Sequence, residues 1–576
     1  MVSISLFVEL LRTRPLSLFW TMAALQAVLW TLVPALFYSA PPGQLPVILA
    51  IGHEFQLGTD FGPPLAFWLG EIAYRVAGLF GVYLLSQICI VVTFWAVLTL
   101  GRAMVGVTHA VMAVLLMAGI AVFSVPTPEF GPAILATPLW ALLLLHYWRA
   151  AQNGEWGYWL AVGLEAGLLL LTTYAGLILV GLLVLFLLSS PYGRRHLETV
   201  GPWVAGLLCV VILFPYLIWL DLGGGTKLPD VQTMLDNLRS WGRLLAALLI
   251  SHAGIGILAV LGRGYLIASR GPPPEVSRPP VEPAARNYVY YFALAPVVAM
   301  GLFALISHRP ENFVAAPLVV MSGLAVMVAA GDRIRIEHQY LIGYVWAALL
   351  LLPPLLVALA IVIQPWIFAI DLRVGRPAVE LGHYFGDSFQ RRTGKPLAIV
   401  AGDRSIASLV SLMAPSRPSL YLESAPEYLP RVTKQDIADK GAVVLWPISD
   451  TTGRPPAEIQ RQFPGLVPEV APTFSRRFQG RMPLLRVGWG VIRPGTPASV
   501  LDQPAQSPPP QTQPEPQPQV QPTPQMPVLP PSTLPPEVLP QEPQSPVQPP
   551  PRPEVQPREP SPQRQQAPAI ERHAPQ

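Results

Sequence analysis

Long apolar runs separated by short polar connections dominate the first two thirds of the chain. A helix needs about 20 apolar residues to cross a bilayer. About eleven segments approach that pattern: 16–37, 79–100, 104–123, 132–148, 158–171, 174–188, 200–220, 241–261, 289–306, 314–330 and 340–363. The pair 158–171 and 174–188 is shorter than an ordinary hairpin, with Thr172-Thr173-Tyr174 at its tip. Helices that end inside a bilayer imply a cavity or protein surface above them, because unpaired backbone groups do not face lipid. The alternative is a tilted pair in a thin region.

One connection breaks the rhythm. Residues 38–68, between the first and second runs, are too polar to cross a bilayer but rich in apolar and aromatic side chains. His53, Glu54 and Asp60 fall close together there, just before Gly62-Pro63-Pro64. A plain connector needs only a few polar residues. A long half-apolar loop lying against the membrane is a candidate working surface.

Composition agrees with a polytopic membrane protein. The chain has 576 residues, is 52% hydrophobic and only 12% charged, against about 25% charged in soluble domains. A net charge of +4, spread along the chain, gives no basic face for nucleic acid. Cys89 and Cys209 both lie in apolar runs, so neither a disulfide framework nor a zinc site is expected. Arg12 and Arg14 precede a run too long for a cleaved signal peptide, which reads as the first membrane helix.

Basic residues set the orientation. Arg12, Arg14, Arg102, Arg149, Arg194, Arg195, Arg263, Arg270, Arg278, Arg286, Arg333 and Arg335 fall in alternate connections. An N-in arrangement places them all in the cytoplasm. It puts 38–78, 124–131, 221–240 and 307–313 on the outer face, and eleven crossings leave the region after 363 outside too.

From 364 to 495 strand and helix signals alternate: strands at 397–401, 419–422, 442–446 and within 482–492, helices at 405–413, 434–440 and 455–463. This argues a small outer-face α/β domain. Ala401-Gly402-Asp403 lacks the G-x-G-x-x-G spacing, so no cofactor is expected there. Residues 496–576 are rich in Pro and Gln, cannot bury a core, and read as a disordered, partly polyproline tether. Its PxP runs also resemble ligands of proline-binding modules. The fold class is therefore an all-α polytopic bundle of about eleven helices over 1–363, followed by that domain and tail.

Four groups of polar residues are predicted on one membrane face: His53, Glu54, Gln56 and Asp60; Glu129; Asp221, Lys227 and Asp230; and His308, Arg309, Glu311 and Asn312. A carboxylate can act as general base on an acceptor hydroxyl or amine. Arg, His and Lys can hold a phosphate leaving group. Sugar departure from a lipid phosphate needs both. Each residue also has a plainer role: Glu54 a solvated loop residue, His53 a helix cap, Asp60 a turn former. Glu129 would be an N-cap of the next helix, and His308 and Arg309 interfacial anchors. Asp221, Lys227 and Asp230 read as ordinary loop charges. A transporter would show matched, interrupted repeats; no internal repeat is visible, and Glu165 is the clearest charge deep in a span.

Several stretches carry a family likeness. These are Gly52-His53-Glu54-Phe55-Gln56-Leu57-Gly58 with Gly62-Pro63-Pro64-Leu65-Ala66-Phe67-Trp68-Leu69, Thr137-Pro138-Leu139-Trp140-Ala141-Leu142, residues 163–174, residues 308–317, and Gly402-Asp403 with Ala407-Ser408-Leu409. Over roughly 16–495 the chain resembles membrane glycosyltransferases of the protein mannosyltransferase-like family, which includes lipid A aminoarabinose transferases. The resemblance implies a C-type fold and a polyprenyl-phosphate sugar donor. The acceptor would be an envelope lipid, glycan or protein at the periplasmic face of the bacterial inner membrane, with Tyr174 among the substrate-binding residues. It also implies a first-loop acid pair near 43–47, where this chain has Gly43-Gln44-Leu45-Pro46-Val47 and no acid. Gly62 stands where the family has His, and Thr173 where it has Lys. Glu54, Asp60 or Glu129 is then the candidate base. The alternative is a degenerate member that binds lipid-linked sugar, or acts as a scaffold, without transfer.

Overall fold

The computed structural model describes residues 5–59, 61–125, 127–189, 191–222, 234–262, 274–306, 316–421, 432–448 and 454–496. Among the described residues, each of the eleven apolar segments contains helix. Among the described residues, four of them are long and apolar enough to cross a membrane: Pro15–Phe37, Leu65–Val105, Gly201–Leu222 and Gln339–Ile367. A fifth is the pair Trp241–Ser251 and Ala253–Gly262, bent by 43°. This marks a multi-pass membrane protein; among the described residues the full-length spans do not reach eleven. The reason is local. The 104–123 segment breaks after Met117 into Val107–Met117 and Ala121–Ser124. The short pair appears as Trp156–Leu170 and Gly176–Ser189.

The first connection is not an open loop. Leu45–Gly52 forms a helix in which every residue is buried. Leu65–Val105 begins inside the same connection and deviates from helical geometry at Ala77 and Gly78, where φ of Gly78 is +59°. A glycine takes that backbone at no steric cost, so the segment before it turns away from the membrane helix after it.

Over these two helices lies an α/β layer. Strands β1 (Glu275–Ser277) and β2 (Arg333–Arg335) form a separate antiparallel ribbon between membrane helices. Strands β3 (Ile399–Gly402), β4 (Ser419–Leu420), β5 (Ala442–Pro447), β6 (Thr473–Phe474) and β7 (Leu485–Ile492) make one mixed sheet in the order β4-β3-β5-β7-β6. Side chains alternate across a strand, and β5 obeys this: Val443 and Leu445 enter one core, Ala442, Val444 and Trp446 the other. Gly402 and Asp403 serve structure: the Asp403 carboxylate accepts from the amides of Ser405 (3.0 Å) and Ile406 (3.2 Å) and so caps helix Arg404–Met413.

The core on the Arg404–Met413 side of the sheet also takes in Ala40 and Ala50 of the first connection. Ser39 and Ala40 amides donate to the Val374 carbonyl at 2.8 and 3.0 Å. The main fastening is ionic. Glu71, 1% exposed, takes Arg417 on Oε2 at 2.9 Å and Arg75 on Oε1 at 2.9 Å, with His53 Nδ1 3.2 Å from Oε1. Arg417 also donates to the Leu49 carbonyl at 3.2 Å and lies over the Tyr74 ring. Removing one partner of such a buried pair strands the other charge and costs about 3–5 kcal/mol. Glu71→Ala and Arg417→Ala should each lower the unfolding temperature and speed proteolysis of the α/β layer. The double variant should lose clearly less than the sum, which thermal unfolding of all four proteins will read.

Candidate active site

The sequence places no acid at 43–47, yet a carboxylate is there. Glu129 reaches in from the connection before helix Pro132–Asn153, and its Oε1 accepts from the Gln44 amide at 3.0 Å. Gly43 has φ +52°, and a Cβ built on it would overlap the Glu129 carboxylate. Glu129 thus fills the space that a side chain at 43 would occupy. Its second oxygen takes no hydrogen bond among the described residues, leaving lone pairs for an incoming donor. Glu129 does not cap the following helix: Gly131 holds the N-cap position without a side-chain bond.

Tyr38 lies beside this carboxylate at the end of helix Pro15–Phe37, with its ring edge-on to Tyr83 at 6.3 Å. Burial, helped by the Glu129 charge, pushes the Tyr38 hydroxyl up to about 12. It therefore stays protonated at neutral pH and keeps a proton to donate. Glu129, an acceptor, and Tyr38, a potential donor, are both half-buried at the foot of the first connection.

The short helix pair meets the same region. The Leu65 amide donates to the Leu171 carbonyl at 2.9 Å, joining the first connection to the turn that carries Thr172, Thr173 and Tyr174. The Tyr174 hydroxyl is 2.6 Å from that of Tyr216. Tyr216 stacks on Trp219 at 5.9 Å and 10°, and the Trp219 ring covers Gly58. These aromatic faces border the first connection.

The other candidates sort by contact. Glu54 accepts from the Ser419 hydroxyl at 2.6 Å, so it ties the loop to the α/β layer. His53 sits at the C-terminus of helix Leu45–Gly52 and is engaged with Glu71. Neither is brought next to Glu129. Asp221 closes helix Gly201–Leu222, exposed. Asp60, Lys227, Asp230, His308, Arg309, Glu311 and Asn312 lie outside the described residues. No group of three or more His, Cys, Asp or Glu side chains able to hold a metal occurs among the described residues.

Sequence reading missed Glu71, Arg417, Tyr38 and Tyr216. For Glu71 a signal existed: Arg75 lies four residues on, in an otherwise apolar helix.

The sequence pattern of the family described as dolichyl-phosphate-mannose-protein mannosyltransferase matches residues 62–219, a span that holds Glu129, Tyr174 and Tyr216. The solved structure of ArnT from Cupriavidus metallidurans bound to undecaprenyl phosphate is similar at a TM-score of 0.50 and 13% identity, covering 83% of this chain and 97% of that one. The apo state of that protein gives 0.46 at 13% identity, covering 84% and 98%. The apo oligosaccharyltransferase of Archaeoglobus fulgidus gives 0.40 at 13% identity, covering 77% and 70%. No curated protein sequence matches the chain. The fold over most of the chain is thus similar to that of the ArnT membrane glycosyltransferase, and the family match falls on 62–219 within it.

If Glu129 occupies the Gly43 side-chain space, Gly43→Ala is doubly costly, through a clash and through φ above zero. It should destabilise by about 1–3 kcal/mol. Adding Glu129→Ala should restore the steric part, so that the double variant is more stable than Gly43→Ala alone. Chemical denaturation of the three variants beside the native chain checks this.

Proposed function

We propose that this protein transfers a sugar from a polyprenyl-phosphate donor to an envelope lipid, glycan or protein, with Glu129 as general base. The reaction face is the one that carries the first connection and the α/β layer. In this reading it is the periplasmic face of the bacterial inner membrane, with the N-terminus in the cytoplasm. The observation that carries the proposal is the Glu129 carboxylate lying in the space of the Gly43 side chain, where the family likeness calls for an acid. The donor's prenyl chain lies between the short helix pair and the first connection, and Tyr174 with Tyr216 flanks the sugar. The phosphate contacts are assigned to His308, Arg309, Glu311 and Asn312, and Asp60 or Glu54 is the alternative base; of these only Glu54 is among the described residues. Residues 496–576 tether the α/β layer or engage a partner.

The chemistry is a displacement at the anomeric carbon. The acceptor oxygen or nitrogen loses its proton to Glu129 and bonds that carbon, while the bond to phosphate oxygen breaks and polyprenyl phosphate departs. Positioned general bases contribute about 10²- to 10⁴-fold in rate. A second reading, binding without transfer, is favoured by the wholly apolar helix Leu45–Gly52 that follows Gln44.

Glu129→Gln keeps shape and the Gln44 contact but cannot take a proton. It should lower transfer of labelled sugar from polyprenyl phosphate into membranes by at least about 10²-fold, with donor binding within a few-fold of native. Undiminished transfer removes the base assignment. Donor binding by the native chain without turnover establishes the second reading instead.

A further inference from the structure

A cavity of about 720 Å³ opens among the helices at the end of the bundle opposite the first connection. Helix Pro15–Phe37 runs from Arg14 near that cavity to Tyr38 beside Glu129, so the two sites are a membrane's width apart. Its walls are apolar: Leu11, Met112, Leu116, Ile342 and Trp346 among them. Trp346 is fixed by its indole N–H donating to the Leu115 carbonyl at 3.0 Å and by the Phe7 ring at 5.5 Å. Such a lining offers water few hydrogen-bond partners, whereas hydrocarbon fills it favourably.

The rim has a different character. Strand β2 reads Arg333-Ile334-Arg335, so both arginines project from one face of the ribbon while Ile334 packs into the bundle core. The two guanidinium groups share a single carboxylate, Glu275, each at 4.0 Å, and remain 81% and 74% exposed. A second acid, Glu337, also lines the cavity, so the rim balances two arginines against two acids, and what it offers a phosphate is two well-exposed guanidinium groups at the mouth of a greasy cavity. Helix Gln339–Ile367, which supplies one wall, is only 17% buried over its apolar window, so its outer side meets lipid.

We propose that this cavity binds one anionic glycerophospholipid, its acyl chain in the cavity and its phosphate on Arg333 and Arg335. Guanidinium groups match phosphate oxygens in charge and fork geometry. At about 10–15 Å³ of such space per water-sized group, 720 Å³ has room for a long hydrocarbon chain. One fatty-acyl chain with its glycerol fits in it. The lipid would staple helix Leu6–Thr13 to helices Val107–Met117 and Gln339–Ile367, away from the sugar chemistry.

The test uses the full chain in phosphatidylcholine nanodiscs doped with phosphatidylglycerol that carries a photoactivatable acyl chain. Mass spectrometry maps the labelled residues. Label should concentrate on Met112, Leu116 and Ile342. It should fall by about tenfold or more in R333Q/R335Q, whose exposed positions leave folding intact. L116W, which fills the cavity and keeps both arginines, should lose the same label. Label spread evenly over the lipid-facing helices, or unchanged in both variants, overturns the proposal. So does stronger labelling by a photoactivatable polyprenyl phosphate. A disulfide in I267C/L116C that forms regardless of lipid would give the cavity to the chain's own 263–273 segment and overturn it as well.

Discussion

A carboxylate withdrawn from water must be neutralised where it sits, and Glu71 is the point where this constraint organises the molecule. Arg75 comes from its own helix, His53 from the first connection, and Arg417 from the α/β layer. Because the acid is 1% exposed, none of the three parts separates from the others without stranding a charge. The first connection is therefore a fixed floor between bundle and layer, with Leu45–Gly52 sealed inside it. A rigid support of this kind is what a positioned catalytic group needs.

On that floor, the exchange at Gly43 becomes intelligible. The sequence gives up a side chain at 43, and the connection before Pro132 inserts Glu129 into the space released. The Gln44 amide then orients the carboxylate. An acid delivered from a different segment, 85 positions away along the chain, has the same chemistry as one carried by the loop itself. Function depends on where the oxygens are and not on which residue number bears them.

Much of this was legible in the chain before folding. Each of the eleven apolar segments contains helix among the described residues, because apolar composition over such lengths leaves the backbone few other ways to satisfy its hydrogen bonds. The strands at 399–402, 419–420, 442–447 and 485–492 lie within a few residues of where periodicity put them. Breaks within the apolar segments, such as that after Met117, were not legible, since they depend on packing and not on hydropathy. Helix Leu45–Gly52 was hidden because a short, wholly apolar run carries no periodic signal. Glu54 and Ser419 lie 365 positions apart and Arg417 and Glu71 346 apart, so sequence alone had no means to pair them. Glu129 stood out as an acid at a membrane boundary, but its place beside Gly43 is a tertiary fact.

The most direct measurement is a structure of the full chain with a non-transferable polyprenyl-phosphonate sugar bound. The expected result has the anomeric carbon facing Glu129, with room for a single acceptor atom between them, about 3–3.5 Å from that carbon. A sugar bound with its anomeric carbon turned away from Glu129, or seated at the far end of the bundle, would contradict the assignment of the reaction to this site.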